Sequence, residues 1–217
     1  DSRLSLSLDL YYRKTTDLLM NVDIPTITGF DKAMQNIGKM RNKGLEITLS
    51  GTPFRSKDFT WDATRNISVN RNKVLALGPT GDPILSDGGA GTTHITMIGQ
   101  PIGSFYGYKM LGIFKTQDEL NSYPHLADTH VGDVMFEDVN GDQKIDADDR
   151  TIIGNNMPDF TWGMTHTFAY KNFDASISLQ GVVGNDVLHL GRRFYTQGEG
   201  NQNQLKEMMG RWQSETN

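Results

Sequence analysis

Strict alternation of apolar and polar residues recurs five times along this chain of 217 residues. On one face of the first segment, RLSLSLDLYYR at 3–13, lie Leu4, Leu6, Leu8, Leu10 and Tyr12. Because successive side chains of a strand point to opposite faces, this pattern predicts a strand with one apolar and one polar face. The pattern returns at 44–51, 59–70, 160–170 and 173–182, with Arg65 the interruption of the third segment.

Two all-β architectures fit five strands of this kind. In a soluble β-sandwich the apolar faces pack against one another. In a transmembrane β-barrel they face lipid, and the polar faces line the lumen. The polar faces here contain mainly Ser, Thr, Asn, Asp and Gln, with few Lys and Glu. This composition favours a hydrated lumen, although alternation alone leaves both architectures open.

The connections between the five segments have two lengths. Residues 52–58 and 171–172 form short turns, whereas 14–43, 74–158 and the residues from 184 onward are long. If both short turns lie at one end of the sheet, every long connection lies at the other end. Aromatic residues are concentrated near both ends of the predicted strands. Short turns at one end, long loops at the other and two aromatic belts are typical of bacterial outer-membrane barrels.

Charge and cysteine content exclude several function classes. The formal net charge is -5, and residues 133–149 contain seven acidic residues and one lysine. The rest of the chain is therefore nearly neutral, which gives no indication of a nucleic-acid-binding face. The chain has no cysteine, so neither disulfides nor thiolate chemistry contribute. The five histidines have no spacing typical of a zinc site.

The acidic stretch EDVNGDQKIDADD, at 137–149, has the spacing of a calcium-binding loop. Oxygen donors at positions 1, 3, 5, 7, 9 and 12 can surround a calcium ion. The candidate metal ligands are Asp138, Asn140, Asp142, the carbonyl of Lys144, Asp146 and Asp149. Two residues depart from the EF-hand pattern: Gln143 replaces glycine and Asp149 replaces the bidentate glutamate. The alternative is an acidic turn whose side chains hydrogen-bond to their own backbone.

Two further segments have weaker signals. In GSFYGYK, the rings of Phe105, Tyr106 and Tyr108 are candidates for stacking on a sugar or peptide substrate. The alternative is that these rings pack the loop's own small core or a partner contact. The spacing in NQLKEMMGRW, at 203–212, predicts a short surface helix.

Several motifs together resemble the C-terminal barrel region of the SusC/RagA family, the TonB-dependent outer-membrane transporters of the Bacteroidota. The most specific are QNIGKMRNKGLEI (35–47), PIGSFYGY (101–108) and D-x-N-G-D-x-x-I-D-x-x-D-R-x-x-I-G (138–154). They occur in the family's order, and with the neighbouring strands the resemblance extends over nearly the whole chain.

The resemblance implies an all-β fold: residues 1–217 would be a fragment of a large antiparallel transmembrane β-barrel of about 22 strands. Residues 74–158 would form a long extracellular excursion that includes the loop at 138–149. The whole protein would lie in the bacterial outer membrane and import glycans or peptides. We expect structural calcium and no organic cofactor.

The resemblance also implies partners. A SusD-like surface lipoprotein would cover the extracellular mouth, and the TonB complex would act through an N-terminal region preceding residue 1. Five strands cannot close a barrel. The remaining barrel strands, the plug and outer-membrane lipid would therefore surround this segment.

Two other function classes are weighed against the transporter. One is a soluble, calcium-stabilised β-sandwich that serves as a binding or adhesion module, and the other is a glycan-active enzyme appendage. We do not expect an enzyme, because the acids are concentrated in one loop and form no pair in an apolar setting. The sandwich requires burial of the alternating apolar residues, namely Leu4, Leu6, Leu8, Ile177 and Leu179.

Overall fold

The computed structural model describes residues 3–23, 27, 29–30, 32–89, 91–196, 198, 201 and 203–214. The chain divides into two compact units, one of residues 1–84, 96–103 and 155–186 and the other of residues 85–95, 104–154 and 187–217. Each unit is an assembly of antiparallel strands. Within the described residues, no helix has the length and apolar character needed to cross a membrane.

The first unit is built on one five-stranded antiparallel sheet. Its strands, in spatial order, are β1 (Leu4–Asp23), β2 (Lys32–Arg55), β3 (Phe59–Ala76), β10 (Phe160–Tyr170) and β11 (Phe173–Val183). These are the five strands that the alternation predicts. The two short turns lie side by side, since the Lys171 N–H donates to the Asp58 carbonyl at 2.9 Å. The predicted placement of both short turns at one end of the sheet is therefore confirmed.

The strands extend beyond the predicted segments at the opposite end of the sheet. The prediction of a long connection at 14–43 is wrong, because β1 continues to Asp23 and β2 begins at Lys32. In the sequence of this hairpin extension polar residues interrupt the apolar alternation, so the pattern did not reveal it. β3 likewise continues to Ala76, so the excursion predicted at 74–158 begins with the last three residues of a strand. The Val74 backbone pairs there with residues 99 and 100, at 2.9 Å in each direction.

The apolar face of the five-stranded sheet is exposed. A sandwich requires five of these side chains to be buried. Each is at least half exposed: Leu4 70%, Leu6 67%, Leu8 59%, Ile177 52% and Leu179 50%. Strand registry continues this face across the sheet, because directly opposed residues of antiparallel strands point to the same side. The β-sandwich alternative predicts a buried apolar face and is not supported. Exposed apolar faces of this kind are typical of strands that contact lipid.

Six shorter strands form the sheets associated with the second unit. Four of them form one sheet in the order β4 (Ile84–Asp87), β5 (Thr92–Thr96), β6 (Ser104–Tyr108) and β9 (Arg150–Gly154). The other two, β7 (Met110–Ile113) and β8 (Val134–Phe136), form a hairpin. Phe114 is fully buried and contacts the rings of Tyr123 and His125, with centroids 6.5 and 6.1 Å away.

Helices contribute little to the second unit. The α-helix α1 (Gln117–Ser122) begins where the Thr116 hydroxyl accepts from the Glu119 N–H, and α2 spans Leu190–Thr196. The helix predicted at 203–212 is shorter than expected and is a 3-10 helix at Lys206–Gly210. Gly210 ends it, as expected for the residue with the most backbone freedom.

Candidate functional site

Hydroxyl groups form a continuous row across the polar face of the five-stranded sheet. Registry places Ser5, Ser50, Thr64, Thr165 and Ser178 side by side on the five strands. The Thr64 hydroxyl donates to Ser50, and the hydroxyls of Thr165 and Ser178 lie 3.1 Å apart. Each hydroxyl can both donate and accept a hydrogen bond. The row can therefore interact with water or with polar groups of a passing solute without a fixed charge.

The adjacent row of the polar face contains amide side chains and borders a recess in the surface. It consists of Ser7, Thr48, Asn66, Gly163 and Gln180. The Asn66 amide lies over Gly163, and hydroxyl and amide groups line a recess at this place. This chemistry can bind the hydroxyls of sugars or the amides of peptides.

The three aromatic site candidates lie on β6, and each has different surroundings. Phe105 is 8% exposed and packs its ring edge-to-face against His94, with the centroids 5.3 Å apart. Tyr106 is half-buried. Tyr108 contacts the Phe136 ring at 5.1 Å, and the Arg150 guanidinium lies 5.2 Å from its centroid. A substrate-stacking role for the three rings stays a prediction, and Phe105 presents the least free surface for it.

The acidic loop at 138–149 is closed by hydrogen bonds from its own backbone. The Asp138 carboxylate accepts from Gly141 at 2.7 Å and from Gln143 at 2.9 Å. Asn140 accepts from the Asp142 N–H, and Asp142 accepts from the Lys144 N–H, both at 2.9 Å. These are the local side-chain contacts that Asp and Asn make in turns. Among the described residues, no three His, Asp or Glu side chains converge as a metal site requires.

Asp149 joins the two ends of this loop. Its carboxylate is fully buried and accepts from the N–H groups of Val139 at 2.9 Å and Asp146 at 2.8 Å. Donation from Asp146 is the largest cause that holds the pKa of Asp149 below its usual range. Burial acts in the opposite direction, and donation from Val139 and Asn140 lowers the pKa further. The buried carboxylate is therefore ionised and serves as a structural acceptor.

Gln143 has a backbone conformation that favours glycine. Its φ is +65°, in the left-handed region, at the loop position where the EF-hand pattern has glycine. Side chains with a Cβ are disfavoured in this region by sterics. The loop thus keeps the backbone turn of the EF-hand pattern although the glycine is absent.

Replacing Gln143 with glycine is expected to stabilise the loop by about 1 kcal/mol, because glycine adopts positive φ without the Cβ clash. Hydrogen exchange of the loop amides would measure the change. Lys144→Gly is the matched control, since Lys144 does not have positive φ and glycine there only adds backbone freedom. Slower exchange in Lys144→Gly than in Gln143→Gly would contradict the steric explanation.

Comparisons with known proteins agree with the antiparallel sheet. Residues 1–95 match the family model described as TonB dependent receptor-like, beta-barrel. TonB-dependent receptor P26 of Formosa agariphila is 36% identical over 221 residues, which cover 99% of this chain and 22% of the relative. TonB-dependent receptor SusC of Bacteroides thetaiotaomicron is 35% identical over 199 residues, covering 87% of this chain and 18% of SusC.

Solved structures give the same result. The structure of the RagAB peptide transporter superposes with a TM-score of 0.78 at 28% identity, and the match covers 97% of this chain and 22% of that chain. The chain is a SusC/RagA-like segment of a TonB-dependent receptor β-barrel. It spans about a fifth of the length of these relatives.

In transmembrane β-barrels the two faces of the sheet have different surroundings. Their apolar face contacts lipid and their polar face lines the lumen, and the exposed leucines and the hydroxyl row of this sheet fit these two environments. The fold predicted from alternation, turn lengths and family resemblance is confirmed.

Five basic residues lie beyond the apolar part of the strands. The sequence pattern did not single them out. Lys14, Arg41, Lys43, Arg71 and Lys73 follow the same period-two spacing on the apolar side of the sheet. Continuing the alternation past residues 13 and 70, and back from residue 44, would have placed them on the apolar side, although not opposite one another. By contrast, the Lys109–Glu137 ion pair of the second unit, at 2.7 Å, joins the ends of two short strands and has no sequence signal.

Proposed function

We propose that this chain forms one wall, with its attached loops, of an outer-membrane transporter that imports peptides or glycans. The similarity to the RagAB peptide transporter over 97% of the chain carries the proposal. The hydroxyl and amide rows of the polar face suit a hydrated lumen, and the exposed leucines of the apolar face suit lipid. We assign no catalytic step to the chain.

The proposed orientation follows from the turns. The short turns at 56–58 and 171–172 lie at the periplasmic end, as in other outer-membrane barrels. The long connection from β3 to β10, which includes the acidic loop, is then extracellular, because it leaves the sheet at the end opposite the short turns. A SusD-like lipoprotein covers this end, and TonB supplies the energy through a part of the protein outside this chain.

Uptake by the native bacterium tests the transport proposal. A strain that lacks the gene for the full-length protein should lose uptake of labelled peptides or oligosaccharides, and a protonophore should abolish uptake by the wild type. Ser178→Trp places a large ring on the polar face and should reduce uptake, whereas Leu179→Trp places the same ring on the lipid face and should not. Unchanged uptake in the deletion strain, or equal uptake by the two variants, would contradict the proposal.

Affinity purification of the full-length protein tests the partner. A tagged copy, extracted in mild detergent, should retain a SusD-like lipoprotein at about one copy per barrel. Purification of the barrel alone from cells that express such a lipoprotein would count against the proposed lid.

Calcium binding by the 138–149 loop stays a prediction. The loop carboxylates accept backbone N–H groups, so calcium would have to share or displace these contacts. We expect added calcium to slow hydrogen exchange of the loop amides, and Asp142→Ala to remove this response. Asp148→Ala is the control, because Asp148 is exposed and lies outside the predicted ligand set. Equal exchange rates with calcium and with a chelator would contradict the prediction.

A further inference from the structure

Five basic residues form two rows on the apolar side of the five-stranded sheet, at the end opposite the short turns. Strand registry places Lys14, Arg41 and Lys73 directly opposite one another on β1, β2 and β3. The next row, one step closer to the short turns, consists of Tyr12, Lys43 and Arg71. Like charges that oppose one another on neighbouring strands are destabilising. The fold therefore concentrates positive charge at a place where strand pairing alone disfavours it.

Acidic residues neutralise little of this charge. Arg71 pairs with Asp159 at 3.4 Å and donates to the carbonyls of Pro158 and Asp159. Arg41 lies over the Tyr12 ring, with 6.0 Å between guanidinium carbon and centroid. Within the described part of the chain, the buried Arg41 Nε has no hydrogen-bond partner. The ion pairs found among those residues also leave out the three lysines of the two rows.

The basic rows adjoin the apolar face directly. The next row toward the short turns contains Leu10, Leu45 and Val69, and Leu10 is exposed. A groove crosses this boundary, with Lys43 and Arg71 on its basic side and Leu10 and Val69 on its apolar side. A ligand that fits both sides has an anionic group at one end and hydrocarbon at the other.

We propose that these rows bind the phosphate groups of a phosphorylated lipid whose acyl chains lie on the adjoining apolar face. Guanidinium and ammonium groups suit phosphate, and the neighbouring leucine and valine side chains suit acyl chains. An acidic protein segment would match the charge but not the apolar row below it. The inference rests on the proposed outer-membrane orientation, in which this end of the sheet meets the outer leaflet.

Lipid binding to the full-length protein in a neutral detergent tests the proposal. The probes are bisphosphorylated lipid A, the same lipid without its phosphates, and inorganic phosphate alone. We expect the first probe to bind, and the triple variant Lys14→Gln, Lys43→Gln and Lys73→Gln to bind it on the order of 100-fold more weakly. Inorganic phosphate at millimolar concentration should not compete with the lipid.

A matched variant controls for the loss of charge. Arg55→Gln, Lys57→Gln and Lys171→Gln remove three cations from the short-turn end of the same sheet and should leave lipid A affinity unchanged. Circular dichroism would verify the fold of both variants, and Lys43→Gln alone serves if the triple variant does not fold. Equal affinity of the two triple variants would overturn the proposal. Equal binding of the dephosphorylated lipid, or full competition by inorganic phosphate, would do so as well.

The uptake assay separates this inference from the transport proposal. A lysine variant that imports substrate but has lost lipid A binding supports both. If the full-length protein imports nothing yet binds lipid A through the basic rows, the transport proposal fails and the lipid site stands.

Discussion

Replacing Leu6 with arginine is expected to lower the free energy of unfolding of the full-length barrel by about 2–4 kcal/mol, the cost of a cation on the lipid face near the bilayer midplane. Leu6 is 67% exposed on the apolar face, in a row with Leu49, Arg65, Met164 and Leu179. Along β3 the apolar face extends from Phe59 to the basic residue Arg71, and this row lies halfway between them. The substituted guanidinium would thus lie among hydrocarbon chains.

Denaturant titration of the full-length protein folded into lipid vesicles would measure this loss. Ser7→Arg is the matched control, because Ser7 is the next residue of the same strand and lies on the polar face. We expect the control to lose less than about 1 kcal/mol, since its guanidinium stays in water. Equal losses for the two variants would contradict the assignment of the faces.

The arginine already present in this row provides the reciprocal test. Arg65→Leu is expected to stabilise the same barrel by about 2 kcal/mol, because it removes a cation from the lipid face. The same titration would measure the gain. A loss of stability in this variant would instead indicate that Arg65 has an anionic partner in the intact protein.

Replacing Asp149 with alanine is expected to open the acidic loop. The substitution leaves the N–H groups of Val139 and Asp146 without the carboxylate that accepts from them. Hydrogen bonds to a charged acceptor are the stronger ones, and unpaired buried donors are costly. We therefore expect amide exchange across 138–149 to accelerate roughly 100-fold or more.

Hydrogen exchange with mass spectrometry would measure this opening, with two variants for comparison. Asp148→Ala removes an exposed carboxylate from the neighbouring position and should leave exchange nearly unchanged. Asp149→Asn keeps an acceptor without the charge and should give an intermediate rate. Identical exchange in Asp148→Ala and Asp149→Ala would contradict the role given to Asp149.

The sequence predicts the sheet well because its period is two and one face is apolar. β10 begins and ends at the predicted residues, 160 and 170, and β11 at 173–183 is one residue longer than predicted. β1 and β2 run much further than predicted, because the regular apolar and polar alternation ends after Tyr12 and begins only after Lys43. Backbone pairing continues there without an apolar pattern.

The sites are less predictable than the sheet. The spacing of the acidic stretch predicts its oxygens as metal ligands, whereas the burial of Asp149 and its contact with Val139 depend on how the loop folds. The strands β4 to β9 have three to five residues each, too few for a periodic signal. The basic rows need the registry of three strands, which only the structure supplies.

The central claim is that one face of this sheet contacts lipid and the other faces the lumen. Spin labels at consecutive positions of β11 would test it most directly. The chain has no cysteine, so cysteines at 176, 177, 178 and 179 could be labelled one at a time in the full-length protein in a bilayer. The account predicts high collision rates with oxygen, which partitions into lipid, at 177 and 179. It predicts high rates with a water-soluble nickel complex at 176 and 178. Labels at 177 and 179 that neither reagent reaches would mean that a second layer of protein buries them, which would contradict the account.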